Sequence, residues 1–99
     1  MYPAFNFVVK SIAVKADERY NNYDLKGNLI SYLRMTDDKN FKIFDQEGNQ
    51  LGYGKRLDDH RFNIYDLDGK ITSHAMQNDG PTYNLYDNDG DQIGYGNLA

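Results

Sequence analysis

The sequence predicts an all-β fold, an antiparallel meander of four β-hairpins preceded by an N-terminal strand. Three observations predict it. An Asp-x-x-Gly turn recurs every 21 residues, beginning at Asp24, Asp45, Asp66 and Asp87. On both sides of each turn the chain alternates between apolar and polar residues with a period of two, as strands of a half-buried sheet do. Nine Tyr and five Phe among 99 residues supply the bulky side chains that sheets favour.

The first 18 residues contain "FNFVV", whose alternation predicts an additional strand ahead of the first hairpin. Lys10 and Lys15 interrupt the apolar stretch and no basic region precedes it, unlike in a secretory signal peptide. No apolar run approaches the roughly 18 residues that a membrane-spanning helix needs. The chain also has no Cys. We therefore expect a cytoplasmic protein without disulfides or thiolate metal sites.

Four in-phase repeats are assigned to residues 19–38, 39–59, 60–79 and 80–99. They share the pattern aromatic, x, aliphatic, aromatic, Asp, x, x, Gly, x, x, aliphatic, and only Asn22 and Thr72 break its aliphatic positions. Asp at the first turn position accepts backbone N–H bonds, and the Gly three residues later suits the left-handed conformation of a G1 bulge. We expect each hairpin to close through a three-residue loop in which Asp pairs with the residue after Gly.

This loop predicts which residues share a face of the sheet. The core face would carry cross-strand pairs that contribute roughly 0.2–1 kcal/mol each. These predicted pairs are Tyr20–Tyr32, Phe41–Tyr53, Phe62–His74 and Tyr83–Tyr95, followed by Asn22–Ile30, Ile43–Leu51, Ile64–Thr72 and Leu85–Ile93. The outer face would carry four aromatics on the first strands, here named the outer aromatics, and small residues on the returning strands. The outer aromatics are Tyr23, Phe44, Tyr65 and Tyr86, and the small residues are Ser31, Gly52, Ser73 and Gly94.

A second period of 42 residues is superimposed on the first. Hairpins one and three share "YDLxG", whereas hairpins two and four share "Q[LI]GYG". Opposite the outer aromatics, the odd hairpins place Leu29 and Ile71, and the even hairpins place Gln50 and Gln92. We therefore expect the outer face of the odd hairpins to be more buried, under the N-terminal segment, a second subunit or a partner.

Several architectures suit such a meander of eight to ten strands, each about 5–6 residues long. A closed barrel, a hairpin solenoid and a two-layer sheet all satisfy the alternation. Because closure removes exposed sheet edges, we favour a rolled sheet or a small barrel.

The motif "[YF]DxxG" at this interval, as in "FNIYDLDGKI" and "FKIFDQEGNQ", resembles the tyrosine–aspartate repeats of large bacterial surface and toxin proteins. It is also similar to the choline- and glucan-binding repeats of cell-wall proteins, which use an aromatic-rich hairpin of similar length. The similarity covers residues 20 to 96 and implies aromatic-rich hairpin repeats. The choline sites of cell-wall repeats contain Trp, which this chain lacks, so no binding residue is transferred.

The run Asp87, Asp89 and Asp91 has the alternation of a calcium loop. However, Gly90 falls at position 4 of that loop instead of position 6, and no Glu follows at position 12. The recurring aspartates already have a role in the turns. We therefore expect a turn and no metal site.

Composition argues against catalysis and nucleic-acid binding. Most carboxylates fall in turns, whereas glycosidases need two of them facing a cleft. His74 stands where the other repeats have Tyr, and "GYGKR" precedes a strand instead of the helix that a phosphate loop needs. The net charge of −4 and the scattered Lys and Arg disfavour nucleic acid. We expect no catalytic residues and no cofactor.

The remaining function is binding. We expect a protein–protein interaction module, or an inhibitor or immunity-type protein, because Tyr anchors interfaces and carboxylates steer basic partners. A carbohydrate-binding module, lectin-like or cell-wall-binding, is the alternative, since aromatics stack on sugars and amides bind hydroxyls. Self-association through the odd hairpins is a further possibility, and no membrane partner is expected. The candidate binding residues are Tyr23, Phe44, Tyr65, Tyr86, Asn63, Asn84, Asp58 and Asp59.

Overall fold

The structure, a computed structural model, describes residues 18–78 and 80–99. These residues form eight antiparallel strands in sequence order, and the first strand also pairs with the last, so the sheet closes into a barrel. The predicted all-β meander is confirmed. Of the architectures that the sequence left open, the structure has the closed barrel. The strands are β1 (Arg19–Asp24), β2 (Leu29–Met35), β3 (Asn40–Phe44), β4 (Gln50–Arg56), β5 (Arg61–Asp66), β6 (Ile71–Gln77), β7 (Thr82–Asp87) and β8 (Gln92–Leu98).

The barrel has two distinct ends. The four Asp-x-x-Gly turns join β1 to β2, β3 to β4, β5 to β6 and β7 to β8, and they lie together at one end, here named the turn end. The links between hairpins lie at the opposite end, here named the link end. The strand predicted at "FNFVV" lies outside the described residues. Residues 18–78 and 80–99 contain no helix long and apolar enough to cross a membrane.

The turns have the predicted chemistry. Asp24 accepts the backbone N–H groups of Lys26 and Asn28 through its carboxylate, each at 2.9 Å. The N–H of Gly27 donates to the Asp24 carbonyl at 3.0 Å. Gly27 has a φ of 89°, a conformation that L side chains rarely adopt. The same geometry recurs in all four turns, with positive φ at Gly48, Gly69 and Gly90.

The predicted register of the returning strands is wrong by one residue. Beside each turn the register shifts once more, so that Tyr23 pairs with Leu29 while Asn22 pairs with Ser31. Ile30 is the extra residue of this bulge, and a bulge increases the local twist and bend that a narrow barrel needs. The observed pairs are Tyr20–Leu33, Phe41–Gly54, Phe62–Ala75 and Tyr83–Gly96, and below them Asn22–Ser31, Ile43–Gly52, Ile64–Ser73 and Leu85–Gly94.

This one-residue slip exchanges the two faces of every returning strand. Ser31, Gly52 and Gly94, predicted outside, are buried. Tyr32, Tyr53 and their equivalents, predicted in the core, lie on the outer face. The first strand of each hairpin keeps its predicted faces. The buried core consists of Tyr20, Leu33, Met35, Phe41, Ile43, Phe62, Ile64, Ala75, Tyr83 and Leu85.

Two glycines explain how four large rings fit inside this barrel. The ring of Phe41 lies against Gly54, where a Cβ atom would come within 2.1 Å of the ring. Tyr83 lies against Gly96 in the same way, at 2.2 Å. The odd hairpins have Leu33 and Ala75 at these positions. The interior therefore needs glycine only opposite the rings of the even hairpins, which accounts physically for the 42-residue period.

Candidate functional site

The barrel is open to solvent at the turn end. The four bulged residues, one from each hairpin, surround this opening: they are Ile30, Leu51, Thr72 and Ile93. Ile30, Leu51 and Ile93 are 46%, 47% and 44% exposed, although the prediction placed them in the core.

Together with the deeper core residues Ile43, Ile64 and Leu85, the bulged residues line a cavity of about 230 Å³, here named the cup. It follows directly from the second register shift, because a regular hairpin would have paired these side chains inside. The mouths of β-barrels are frequent ligand sites. The cup is therefore the candidate site. Its bulged residues were missed because the sequence predicted them to be paired core residues, whereas Tyr65, a predicted binding residue, also lines it.

The floor of the cup is polar, but its polar side chains form hydrogen bonds with one another. Asn22, only 3% exposed, donates from its amide nitrogen to the hydroxyl of Ser31 at 3.0 Å. Its amide oxygen accepts a hydrogen bond from the hydroxyl of Tyr83. Burial raises the pKa of Tyr83 well above its usual value, so this hydroxyl stays a protonated donor at neutral pH. The floor thus offers a ligand a weakly polar surface without a charge.

The rim around the cup is strongly acidic. The four turns, residues 24–28, 45–49, 66–70 and 87–91, contain eight Asp or Glu and two Lys, a formal charge of −6. The rest of the described chain contains seven Lys or Arg and five Asp or Glu, a formal charge of +2. The net negative charge of the described residues is therefore concentrated at the turn end, although five of their thirteen carboxylates lie elsewhere.

The carboxylates of the rim fall into two groups. The first group caps the turns and consists of the turn aspartates Asp24, Asp45, Asp66 and Asp87. The backbone N–H of Asn28 lowers the pKa of Asp24, and the backbone N–H of Asn49 lowers the pKa of Asp45. The second group, here named the additional carboxylates, makes no side-chain hydrogen bond to any described residue. Their carboxylates therefore take no part in the side-chain hydrogen bonds that close the described turns. They are Glu47, Asp68, Asp89 and Asp91.

The outer aromatics lie on the flank of the barrel, each beside a ring that the sequence had placed in the core. Tyr23 stacks on Tyr95 with ring centroids 5.3 Å apart, and Tyr65 stacks on Tyr53 at 5.1 Å. Phe44 stacks on Tyr32 at 5.3 Å. Three of the four outer aromatics thus have one face covered by a neighbouring ring across the seam between two hairpins.

The fourth seam differs from the other three. Tyr86 is in register with His74, whose Nδ1 lies 3.0 Å from the amide oxygen of Asn63. Because imidazole is smaller than a phenol ring, a surface groove of about 340 Å³ opens there, also lined by Arg61 and Asp87. Of the predicted binding residues, only Tyr86 borders this groove.

The other predicted binding residues do not gather at one site. Asn84 lies on the flank, where its amide oxygen accepts from Gln92 at 3.4 Å. Asp58 and Asp59 lie in a link, at the end of the barrel opposite the cup. Asp58 caps that link by accepting the backbone N–H of His60 at 2.9 Å, which lowers its pKa, and it pairs with Arg61 at 3.4 Å.

The acidic run at the fourth turn has the geometry of its three equivalents. The carboxylate of Asp87 accepts the backbone N–H groups of Asp89 and Asp91, both at 2.9 Å. In residues 18–78 and 80–99, no three His, Cys, Asp or Glu side chains come together in a group that could hold a metal ion.

No family model, curated protein or solved structure matches this chain.

Proposed function

We propose that the protein is a non-enzymatic interaction module that binds a basic surface of another protein at the turn end. The observation that carries this proposal is the charge of −6 around an open apolar mouth, against +2 elsewhere in the described chain. A patch of one sign steers an oppositely charged partner and speeds its association, while the apolar centre supplies binding energy.

The composition of the turn end supports the proposal. Protein interfaces combine an apolar centre with a polar rim. Here the exposed cup residues Ile30, Leu51 and Ile93 form the apolar centre, and the acidic turns form the rim around it. Contiguous exposed apolar surface of this kind marks interaction sites in stable proteins. The additional carboxylates, which the turns do not need, complete the rim.

A role as a cytoplasmic inhibitor or immunity-type protein belongs to the same proposal. A small acidic domain suits the neutralisation of a basic enzyme or toxin, because opposite charges accelerate association even at low concentrations. Self-association of two turn ends is disfavoured by the same charge, since two rims of −6 would repel each other. Any homo-oligomer would therefore use the flank or the link end.

A pair of charge-matched variants tests the proposal. Asp68→Lys/Asp89→Lys reverses two additional carboxylates at the turn end. Asp38→Lys/Asp59→Lys makes the same change at the link end, and both variants have a formal net charge of 0. Immobilised proteins are exposed to lysate of the source cells at low and high salt, with the fold of each variant checked by circular dichroism.

We expect basic proteins to be retained by the wild type and by the link-end variant. They should be lost from the turn-end variant and should elute at high salt, because exposed charges are screened over about 8–10 Å at physiological ionic strength. Equal retention by both variants would contradict the proposal, as would retention that salt does not change.

A carbohydrate-binding module is the second candidate, and the groove of the fourth seam favours it. Among the described residues Tyr86 has no stacked Phe or Tyr partner, and Arg61, Asp87 and Asn88 border the groove with groups that bind sugar hydroxyls. A glycan array probed with wild type and Tyr86→Ala tests this candidate. We expect salt-insensitive binding that Tyr86→Ala abolishes, and an array without signal would exclude this function.

A further inference from the structure

We infer that the cup is an anchor pocket that takes one apolar side chain of a basic polypeptide, while Lys or Arg residues flanking that side chain contact the acidic rim. The inference deepens the proposed function and rests on it for the basic character of the partner. It commits to one occupant, a segment of another protein that carries both groups.

The apolar residues of the cup are not explained by folding. Thr72 occupies the bulge of the third hairpin, so this position accepts a polar residue. Ile30, Leu51 and Ile93 nevertheless stand half-exposed at the equivalent positions. A stable monomer gains little from aliphatic side chains that remain in water, whereas a bound partner would remove them from it.

The volume of the cup suits a single side chain. An apolar cavity of about 150 Å³ holds a benzene molecule. At about 230 Å³, the cup has room for the side chain of Leu, Ile, Met or Phe. It lies on the axis of the barrel, where the four bulged residues would surround an inserted group on all sides.

The polarity of the cup determines where the apolar side chain and the charged groups of the ligand bind. Asn22, Ser31 and Tyr83 satisfy one another, so a cation placed inside would lose its water without gaining a charged partner. Asp66 borders the cup, but its carboxylate accepts the backbone N–H groups of Asp68 and Lys70, at 2.9 and 3.0 Å. Charge is therefore accommodated at the rim and apolar surface within the cup.

Charge complementarity selects the occupant. A neutral apolar ligand would make no ionic contact with the rim and its charge of −6. A second copy of the chain would bring a like-charged rim against the first. A basic segment with a protruding apolar side chain uses both features, and it resembles the central anchor and polar surround of measured interfaces.

The experiment uses defined probes. The peptides Lys-Lys-X-Lys-Lys, with X as Leu, Phe, Ser or Gly, and Ser-Ser-Leu-Ser-Ser are titrated into the isotopically labelled full chain and followed by NMR. We expect the Leu and Phe peptides to bind about tenfold or more tightly than the Gly peptide, which is the affinity that burial of such a side chain provides. The backbone signals of Ile30, Leu51 and Ile93 should shift. The uncharged peptide should bind more weakly than its Lys counterpart.

Matched variants locate the effect. Leu51→Ser/Ile93→Ser removes apolar surface from the cup, and Thr72→Phe fills it. Leu25→Ser/Leu67→Ser makes the same kind of change on exposed turn residues outside the cup. We expect the two cup variants to lose the preference for Leu over Gly while keeping the salt-sensitive binding of all Lys peptides. The turn variant should keep the preference.

Each remaining outcome decides a separate point. Equal, salt-sensitive binding of all Lys peptides would overturn the anchor pocket and leave the proposed function standing. No binding of any Lys peptide would overturn both. Equal binding of the charged and uncharged Leu peptides would overturn the basic partner. Dimers in sedimentation that the cup variants abolish would assign the cup to a second copy and overturn the inference.

Discussion

The hydroxyl of Tyr83 in β7 donates a hydrogen bond to the amide oxygen of Asn22 in β1, although 61 positions separate the two residues. Both side chains are buried, and the bond joins the first and last hairpins inside the barrel. The amide nitrogen of Asn22 donates to Ser31 in β2. One asparagine thus connects three strands around the closure of the sheet and forms the polar floor of the cup.

Removing the Tyr83 hydroxyl should therefore destabilise the barrel. Tyr83→Phe leaves the buried oxygen of Asn22 without its donor, and we expect the free energy of unfolding to fall by about 1–3 kcal/mol. Urea unfolding measures it. Tyr86→Phe removes a hydroxyl on the outer face and should change the stability by no more than about 0.5 kcal/mol. Similar losses in the two variants would contradict a role for the bond.

Gly94 should not tolerate a side chain. A Cβ atom there would lie 2.2 Å from the carbonyl oxygen of Tyr23, a backbone atom that cannot move aside without disturbing the pairing of β1 with β8. We expect Gly94→Ala to cost about 2 kcal/mol or more and to lower the melting temperature by about 10 °C.

The matched control is Ser73→Ala, because Ser73 occupies the equivalent position in the third hairpin and already carries a Cβ atom. Its melting temperature should stay within a few degrees of the wild type. A stable Gly94→Ala protein would show that the closure of the barrel differs from the structure.

The stacked rings of Tyr53 and Tyr65 should stabilise each other across the seam between β4 and β5. A double-mutant cycle with Tyr53→Ala and Tyr65→Ala is expected to give a coupling energy of about 0.5–1.5 kcal/mol. A second cycle pairs Tyr65 with Tyr23, which stacks on Tyr95 instead, and it should give a coupling near zero. Equal coupling in the two cycles would indicate a global effect of losing an aromatic residue.

The turn aspartates should make the protein sensitive to acid. Backbone N–H groups lower the folded pKa of Asp24 and Asp45, so these carboxylates stabilise the fold above their unfolded pKa of about 3.9. The stabilisation is lost as the pH falls through the folded pKa. We expect Asp24→Asn/Asp45→Asn to be less stable than wild type at pH 7 and to lose less further stability on acidification.

Asp68→Asn/Asp89→Asn is the control for this pH experiment, since it removes two charges from the same end without removing a turn acceptor. Thermal unfolding between about pH 7 and pH 2 compares the proteins across the carboxylate range. A pH profile of Asp24→Asn/Asp45→Asn that parallels the wild type would show that these two aspartates do not set the acid limit.

Local sequence chemistry determined the hairpins. Asp at the first turn position and Gly at the left-handed position specify where each strand ends, because few other residues provide the acceptor and the positive φ that this turn uses. The alternation around the turns also identified the inward side chains of every first strand, including Phe41 and Phe62. These features depend only on residues a few positions apart, so a single sequence contains them.

The returning strands could not be assigned in this way. In "NLISYLRM" both faces carry apolar residues, so the alternation fits either register. A signal was present in the small residues spaced by two, Gly52 with Gly54 and Gly94 with Gly96, since glycine within a strand marks a bulge or a close backbone approach. The prediction placed Gly52 and Gly94 on the outer face, and this assignment hid the glycine signal.

The sequence by itself determined the number of hairpins, their turns and their order. The tertiary structure alone decided that the sheet closes, that a second bulge beside each turn exchanges the faces of the returning strands, and that the cup forms at the turn end. The physical reason is that closure and register depend on packing between residues far apart in the chain. Phe41 and Tyr83 need glycine opposite them, and a narrow barrel needs the twist that the bulges add. Neither requirement can be recognised from a short stretch of sequence.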